Sequence, residues 1–326
     1  MIPARRTARF LPFIAFGAMF AGPSLNAVAA DYPVRPIRYV VAFAPGGIND
    51  ILARIVGQKL SEAWGQPVIV DNRPGAGGNL GAELVAKSQP DGYTILNVST
   101  AHAISQTLYA KLGYSFATGL TPVVLLGSSP LMTAVNPGLP VKSVGELIAY
   151  AKSNRLVYGS GGVGVISHLS MEMLKTAAKI AAPHVPYKGA GPAVADLIGG
   201  QVHVMTNAIP ELFPFAKGGK LRVIGQMTEK RHHMLPDVPT YIEQGHKDFV
   251  LGNWGGIAMP AGVPRAIVDK LAAEVTRIIR SPDVHKRLSD LGFDPLGSTP
   301  EQFRALALKE IDRFGAAVKA SGAKAD

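Results

Sequence analysis

The segment APGGINDILAR (Ala44–Arg54) places two glycines between a β-type sequence and a helical one. Before it, Ile37–Phe43 is rich in β-branched and aromatic residues, and after the glycines Asp50–Trp64 carries apolar residues at helical spacing. Glycines in such a turn let a ligand approach the backbone, where the first N–H groups of the helix carry partial positive charge. The segment therefore predicts an anion-binding turn at the end of a strand.

The alternation of strand and helix continues through two series. The further strands predicted in the first series are Pro67–Val70, Tyr93–Val98 and Val123–Leu126. Those predicted in the second series are Leu131–Val135, Leu156–Gly159, His184–Tyr187, Val202–Thr206 and Leu221–Ile224. No strand candidate follows Ala258, where the sequence becomes helical. Repeated β-α-β units predict an α/β protein in which each series forms a mostly parallel sheet flanked by helices.

The two series predict two lobes, and the helical C-terminal sequence is expected to pack back on the first of them. We predict that residues 31–130 and 254–326 form the first lobe and that residues 131–253 form the second. The chain would then pass between the lobes twice, near Ser128–Leu131 and near Leu251–Trp254.

The first thirty residues have the pattern of a secretory signal. Three arginines precede the apolar stretch Leu11–Ala21, and small residues end at Val28–Ala30. A membrane anchor is the alternative, but two prolines interrupt a segment that is already short for crossing a bilayer. We therefore predict that residues 1–30 are a cleaved signal peptide and that the mature protein is periplasmic.

The composition excludes several classes of protein. The chain has no cysteine, which rules out thiolate metal sites and cysteine nucleophiles. Its formal net charge is +10, but the basic residues are scattered and do not alternate with aromatic ones, so nucleic acid is not an expected partner. No G-x-S-x-G, H-E-x-x-H or Walker A motif occurs. We expect a monomeric binding protein without catalytic residues, metal or cofactor; an exported α/β enzyme is the alternative.

Two glycine-rich turns of the first series supply candidate ligand-binding residues. The backbone donors in the turn after the first strand are Gly46, Gly47, Ile48 and Asn49. Asn49 or Asp50 is expected to cap the helix, and for Asp50 this role is favoured over ligand contact, because an ionised carboxylate repels an anion. A second turn, in the segment RPGAGG, contributes Gly77.

A third turn, GSGGVG (Gly159–Gly164), has the spacing G-x-G-x-x-G of dinucleotide-binding loops. No acidic residue for a ribose stands about twenty residues later, and an exported protein would rarely meet free NAD, so a dinucleotide is not expected. Ser167 and His168 follow this turn, but adjacent residues of a helix do not face each other and cannot act as nucleophile and base. We expect Ser167 to be an N-cap and His168 to lie in the first helical turn.

Other polar residues follow predicted strand ends and would reach the same sheet edge. Ser99, Thr100 and His102 follow the third strand, although Ser99 also has the position of a helix cap. Tyr187 follows a strand of the second series and would line a pocket there. Trp254, near the second crossover, is expected to pack in the hinge and not against a ligand.

Six segments, in this order, resemble the periplasmic substrate-binding proteins of tripartite tricarboxylate transporters, the TctC or Bug family. They are YPVRPIRYVVAFAPGGINDILAR, VDNRPGAGGNLGAELVAKSQPDGYTIL, GSGGVGVISHL, VPYKGAGPAVADLIGGQV, KRHHMLPDVPTYIEQG and WGGIAMPAGVP. The resemblance covers essentially the whole chain after the signal. It implies a two-lobed periplasmic-binding-protein (Venus-flytrap) fold that binds a small organic acid in the interlobe cleft and hands it to membrane permease subunits.

The resemblance also implies that the turns matching Pro45–Asp50 and Gly159–Ser167 face each other across the cleft. Backbone N–H groups, small hydroxyls and ordered waters of these turns would hold one carboxylate. The candidates from the second of these turns are Ser160, Gly161, Gly162, Val163, Gly164, Val165 and Ser167.

Two departures from the family pattern bear on the ligand. Gly162–Val165 lacks the amide and hydroxyl of the polar loop that relatives often have, and Asn207 stands where they often have an aspartate able to hold an ammonium group. We therefore expect a mono- or dicarboxylate without a positive amine, such as an aromatic or medium-chain acid. A ligand sensor with the same fold, signalling to a membrane receptor, is the alternative to transport.

Overall fold

The computed structural model describes residue 1 and residues 31–325. The predicted signal peptide therefore lies outside the described residues, apart from residue 1. Within the described part, strands and helices alternate as the sequence predicts, and the protein is of the α/β class. None of the helices in residues 31–325 combines the length and the hydrophobicity that a membrane span requires.

The chain up to residue 119 forms the strands and helices that the first series predicts. The strands are β1 (Ile37–Val41), β2 (Val68–Asn72) and β3 (Thr94–Ser99). The helices are α1 (Ile48–Trp64), α2 (Asn79–Ala86), α3 (Thr100–Leu108) and the single turn α4 (Phe116–Gly119), with a 3-10 turn at Ala76–Gly78. The strand predictions and the helices predicted at Asp50–Trp64, Gly78–Lys87 and His102–Leu112 are confirmed, with their ends displaced by a few residues; α4 and the 3-10 turn were not predicted.

Residues 120–260 form the second series and two long strands. The strands are β4 (Leu120–Val135), β5 (Tyr158–Ser160), β6 (His184–Pro186), β7 (Val204–Ala208), β8 (Arg222–Gln226) and β9 (Gly252–Pro260). The helices are α5 (Val144–Ser153), α6 (Ile166–Ala178), α7 (Ala190–Ile198) and α8 (Ile209–Lys217). Of these helices, α8 is not predicted from the sequence.

The two strands predicted at Val123–Leu126 and Leu131–Val135 are one strand, β4. Gly127 and Pro130 interrupt the apolar pattern between them, which is why the sequence indicates a break. The backbone nevertheless continues in register with β9, from Leu120 opposite Pro260 to Pro130 opposite Gly252, with two irregularities in the pairing. Tertiary pairing therefore overrides the local signal here.

The C-terminal region is mainly helical, as predicted. It contains α9 (Arg265–Arg280), α10 (Pro282–Asp290), the two-residue strand β10 (Asp294–Pro295) and α11 (Pro300–Ser321). The Thr299 side chain accepts the N–H of Gln302, whose own side chain accepts the N–H of Thr299, so α11 begins with a capping box. The expectation of no strand after Ala258 is wrong, because β10 pairs with β4; two residues are too few to show a strand period.

One curled sheet runs through the molecule in the order β2-β1-β3-β9-β4-β7-β5-β6, and β8 and β10 also pair with β4. The pairs near its two ends are parallel (β1 with β2 and β3; β5 with β6 and β7). The pairs that involve β4 or β9 are antiparallel. The sheet is therefore mixed, and the predicted parallel pairing is found outside its centre.

The two ends of this sheet belong to two lobes. We call the part built on β1, β2, β3 and the N-terminal part of β4 the first lobe, and the part built on β5–β8 and the C-terminal part of β4 the second. β4 and β9 join the lobes, with Ser128 opposite Trp254. Trp254 is buried and packs edge-on against Phe303 of α11 at 5.7 Å between ring centroids. The residue limits given above for the lobes stay a prediction.

Candidate ligand-binding site

Four helices begin at one cavity between the lobes, which we call the inner cavity. The N-cap residues Gly47 of α1, Ser99 of α3, Val165 of α6 and Gly189 of α7 line it. The cavity, including its mouth, has a volume of about 430 Å³. The first N–H groups of a helix lack partners within the helix and carry partial positive charge. The convergence of these four N-termini therefore favours a negatively charged group.

Asp50, in the first turn of α1, faces away from this cavity and stabilises the turn. Its Oδ2 accepts the N–H of Gly46 at 3.1 Å and Nε of Arg54 at 2.9 Å, and its Oδ1 accepts the side-chain amide of Asn72 at 3.0 Å. Burial acts to raise the pKa of Asp50, but these hydrogen bonds outweigh burial and hold the pKa below its ordinary value. The expected cap at Asn49 or Asp50 is corrected, because the N-cap is Gly47 and Asp50 instead reaches back to Gly46 from the first turn.

Asn49 lines the inner cavity from the first lobe, and its buried side-chain oxygen has no hydrogen-bond partner among the described residues. Ser99 caps α3, and its N–H donates to Nδ1 of His102 at 3.0 Å. His102 is fully buried and does not line the cavity, and burial lowers its pKa to about 4. The Thr100 hydroxyl is also occupied, because it donates to Oδ1 of Asn253 at 2.7 Å.

The wall from the second lobe is the turn before α6. The N-cap of α6 is Val165, so the expectation that Ser167 is the N-cap is wrong. Ser167 lies inside the first helical turn, where its Oγ accepts the N–H of Gly161 at 3.2 Å and closes the turn. Ser167, Val165 and Gly161 all line the inner cavity. His168 lies in the first helical turn, as predicted.

Two further residues of this turn support it from behind. The N–H of Gly164 donates to Nδ1 of His168 at 3.2 Å. Oγ of Ser160 lies 2.6 Å from Nε2 of His184 and also donates to the carbonyl of Gly162 at 3.0 Å. Ser160 is completely buried, and burial together with the neighbouring His168 lowers the pKa of His184 to about 3. The Ser160–His184 pair therefore holds the backbone of the turn and does not face the cavity.

Glu211, in the first turn of α8, is an ionisable cavity residue that was not predicted from the sequence. It lines the inner cavity from the second lobe, and its Oε1 accepts the N–H of Ile48 in the first lobe at 2.9 Å. Burial raises the pKa of Glu211 to about 7, and the single hydrogen bond from Ile48 offsets only part of this effect. A carboxyl group of the protein thus lies at the N-terminus of α1, across the cleft from its own helix.

The signal for Glu211 was present but weak. Pro210 followed by an acidic residue is typical of a helix start, since proline suits the first position and a carboxylate suits the first turn. The helix has only nine residues, however, and Pro214 lies inside it. No clear helical period is visible in so short a segment.

A second space, the outer cleft, continues from the inner cavity and shares Phe43 and Gly161 with it. It is lined by the glycine-rich turn that contains Gly77, by Gly162 and Val163, and by the aromatic rings of Tyr109 and Tyr187. Its volume, including the open mouth, is about 760 Å³. The Tyr187 hydroxyl donates to Asp196 at 2.5 Å.

The lobes touch along this cleft through hydrogen bonds between them. The N–H of Ala44 donates to the carbonyl of Lys188 at 3.0 Å, and the Tyr109 hydroxyl donates to the carbonyl of Val163 at 3.2 Å. A Cβ atom on Gly77 would lie 2.1 Å from the same carbonyl oxygen of Val163. The structure therefore has its lobes in close contact at the cleft.

The structure distributes the predicted residues over three locations. Those in the inner cavity are Gly47, Asn49, Ser99, Gly161, Val165, Ser167 and Asn207. Those in the outer cleft are Gly77, Gly161, Gly162, Val163 and Tyr187. Those that line neither space are Gly46, Ile48, Asp50, Thr100, His102, Ser160 and Gly164. Cavity-lining residues that the sequence analysis did not single out include Phe43, Gly189, Ala190, Glu211 and Asn253. In residues 31–325 no group of three or more histidine, aspartate or glutamate side chains is placed to hold a metal ion.

Comparison with known proteins identifies the family. The profile of the family described as "Tripartite tricarboxylate transporter family receptor" (TctC) matches residues 52–323. Protein BugT of Bordetella pertussis is 34% identical over 320 residues, which cover 97% of this chain and 98% of BugT. The chain belongs to the TctC family of solute-binding proteins.

Solved structures agree with this assignment. The protein Rpa4515 of R. palustris, solved with adipate, is 35% identical and superposes with a TM-score of 0.86 over 90% of this chain and 99% of that one. The periplasmic binding protein BugD is 33% identical, with a TM-score of 0.87 and coverage of 90% and 99%. The two-lobed periplasmic-binding-protein fold is therefore confirmed.

Proposed function

We propose that this protein is exported to the periplasm, captures one small organic carboxylate in the inner cavity by closure of its lobes, and delivers it to the permease subunits of a tripartite transporter. The pattern of residues 1–30 supports export. Membership of the family supports the transporter as partner, and the adipate bound to a similar protein supports a carboxylate ligand.

The observation that carries the proposal is the convergence of the N-termini of α1, α3, α6 and α7. No lysine, arginine or histidine of the described chain lines the inner cavity, so these backbone N–H groups are its source of positive potential. Charge-assisted hydrogen bonds contribute about 1.5–3 kcal/mol each. Two or three of them supply about 3–9 kcal/mol before the cost of closure. Burial of the apolar part of the ligand must therefore contribute to the roughly 8 kcal/mol that micromolar binding needs.

The outer cleft supports a ligand with an extended or aromatic remainder. Phe43 stands between the two spaces, and the rings of Tyr109 and Tyr187 line the outer one. A medium-chain or aromatic acid with its carboxylate in the inner cavity would place its remainder among these rings. The lobes would close by movement about the antiparallel strands β4 and β9, which join them.

The test is a thermal-shift and calorimetric screen of the mature protein against mono- and dicarboxylates, including aromatic acids. A true ligand raises the melting temperature with concentration as RT ln(1 + [L]/Kd) requires. Gly161→Val should abolish the shift, because the Cβ at this position would lie 3.4 Å from the backbone of Gly189 and Ala190, and a larger side chain fills the cavity.

Gly145→Val is the matched control, since Gly145 is exposed on α5 and faces no backbone or side chain closer than 3.9 Å. The control should respond to the ligand as the unmodified protein does. If no carboxylate stabilises the protein at millimolar concentration, the proposal is wrong.

A further inference from the structure

The charge of the inner cavity is unusual for a site that binds acids. Of the side chains that line it, Glu211 is the ionisable one, and the described chain offers no cationic side chain there to balance it. The helix N-termini can neutralise one carboxylate of a ligand. A second ligand carboxylate placed near Glu211 would meet a like charge in a partly desolvated space, and such pairs are unfavourable.

Glu211 also occupies a position that an anion would otherwise take. Its Oε1 accepts the N–H of Ile48, at the N-terminus of α1. The contact is close, because a Cβ atom on Gly47 would lie 3.1 Å from this oxygen. The end of the cavity formed by α1 and α8 is therefore already supplied with a carboxyl group, and the donors of α6 and α7 are left for the ligand.

The polar atoms near α1 favour a donor on the ligand. The side-chain oxygen of Asn49 is buried and lacks a partner among the described residues, and Glu211 accepts a hydrogen bond from Ile48 through one oxygen. At the opposite wall, Oγ of Ser167 accepts from Gly161, so its hydroxyl hydrogen can point to an acceptor in the cavity. The two ends thus differ: one presents acceptors and the other presents donors.

We propose that Glu211 determines ligand specificity, so that the cavity takes an acid with one carboxylate and, at its other end, an ammonium or hydroxyl group that donates to Glu211. The inference rests on the proposed function. It also revises the expectation of an amine-free ligand, which considered Asn207 alone. Asn207 lies near the end of β7 and Glu211 in the first turn of α8, four residues later, and both line the same cavity.

The test compares ligands that differ at one end only. Dissociation constants are measured by calorimetry at pH 8, where a carboxyl group with a pKa of about 7 is ionised. The probes are adipate, 6-aminohexanoate and 6-hydroxyhexanoate, together with the corresponding sets of four and five carbons. The proteins are the unmodified mature chain, Glu211→Gln, and Glu229→Gln as the control, since Glu229 is exposed on the second lobe and is not a cavity residue.

We expect the unmodified protein to bind the amino or hydroxy acid at least tenfold more tightly than the diacid of equal length. Glu211→Gln should weaken binding of the amino acid and strengthen binding of the diacid, which changes the ratio of their dissociation constants by tenfold or more. Glu229→Gln should leave this ratio unchanged. Tighter binding of the amino acid would indicate specificity for an ammonium group, and tighter binding of the hydroxy acid would indicate specificity for a hydroxyl group.

The inference would be overturned if diacids bind at least as tightly as the donor acids and Glu211→Gln does not change the ratio of the two dissociation constants. This result would leave the proposed function intact. Failure of every acid to bind any of the three proteins would overturn the proposed function and this inference with it. Glu211→Gln preserves the shape of the side chain, and Glu211→Ala provides a second variant with the same expected direction.

Discussion

Asp50 and Glu211 are two carboxyl groups in the first turns of two helices, and they contact the same loop from opposite lobes. Asp50 accepts hydrogen bonds from Gly46, Arg54 and Asn72, whereas Glu211 accepts one, from Ile48. Burial acts to raise the pKa of both groups. In Asp50 the hydrogen bonds outweigh it and the pKa is lowered, while in Glu211 burial prevails and the pKa rises to about 7.

The difference between these two residues shows how a carboxylate that stabilises the fold can be distinguished from one that is available to a ligand. Both groups are acidic residues near a helix N-terminus, and sequence position alone would assign them similar roles. The balance between burial and the donors around each group decides whether its charge is compensated within the protein. Five experiments would break or sharpen this comparison or the contact between the lobes that accompanies it.

The largest effect is expected from Asp50→Ala, which removes the acceptor for three donors at the base of the turn. Loss of hydrogen bonds to a buried charged group should lower the free energy of unfolding by about 2–4 kcal/mol. Urea unfolding at pH 7 measures it. Asp283→Ala, at an exposed position paired with Lys59, is the control and should cost much less. Equal losses in the two variants would contradict a special role for Asp50.

Glu211→Gln should raise the free energy of unfolding, the opposite of Asp50→Ala, and the size of the effect should depend on pH. The pKa of Glu211 is raised from 4.5 to about 7 in the folded state, so the folded protein binds this proton more tightly than the unfolded chain does. The stability that this provides is fully present below pH 4.5 and is lost as the pH rises through 7. The variant lacks this loss, so its stability relative to the unmodified protein should increase between pH 4 and pH 8, by up to roughly 3 kcal/mol. Melting temperatures across this range test it.

The pH dependence of Asp50→Asn provides the contrast. Since the folded-state pKa of Asp50 is lowered, its stabilising contribution is present above the unfolded pKa of about 3.9 and disappears as the pH falls through the lower folded value. The unmodified protein and Asp50→Asn should therefore become more similar in stability on acidification. A difference that grows below pH 4 would be the contrary result.

Contact between the two lobes can be tested with Gly77→Ala. The added methyl group would lie 2.1 Å from the backbone oxygen of Val163, so the lobes could not close fully, and ligand affinity should fall about tenfold, or about 1.4 kcal/mol. Gly65→Ala is a matched control, because Gly65 has the same φ of 64° with nothing within 4 Å. Both variants carry similar backbone strain, and only Gly77→Ala should weaken calorimetric binding.

The smallest effect is expected from Arg54→Ala. Arg54 pairs with Asp50, but its side chain is 55% exposed, and exposed pairs contribute about 0.2–1 kcal/mol. Asp50 would keep its hydrogen bonds from Gly46 and Asn72. A loss in urea unfolding as large as that of Asp50→Ala would show that the ion pair, and not the donors of the turn, compensates the charge.

Local patterns were sufficient for most of the fold. The strand and helix on either side of Gly46 and Gly47, the Ser143 cap of α5 and the capping box of α11 are all visible within a few residues of sequence. The sequence did not reveal the continuity of β4, because Gly127 and Pro130 mark a break locally while pairing with β9 keeps the strand extended. For the same reason β10, which exists only as a partner of β4, was not predicted.

The sequence by itself determined that this protein is an α/β protein with glycine turns before helices, because strand and helix periods and turn chemistry are local properties. It also carried the family resemblance. The tertiary structure alone decided that the N-termini of α1, α3, α6 and α7 meet at one cavity, and that Glu211 approaches Ile48 across the cleft. Glu211 and Ile48 are 163 positions apart, and no local period encodes a contact between a side chain of one lobe and the backbone of the other.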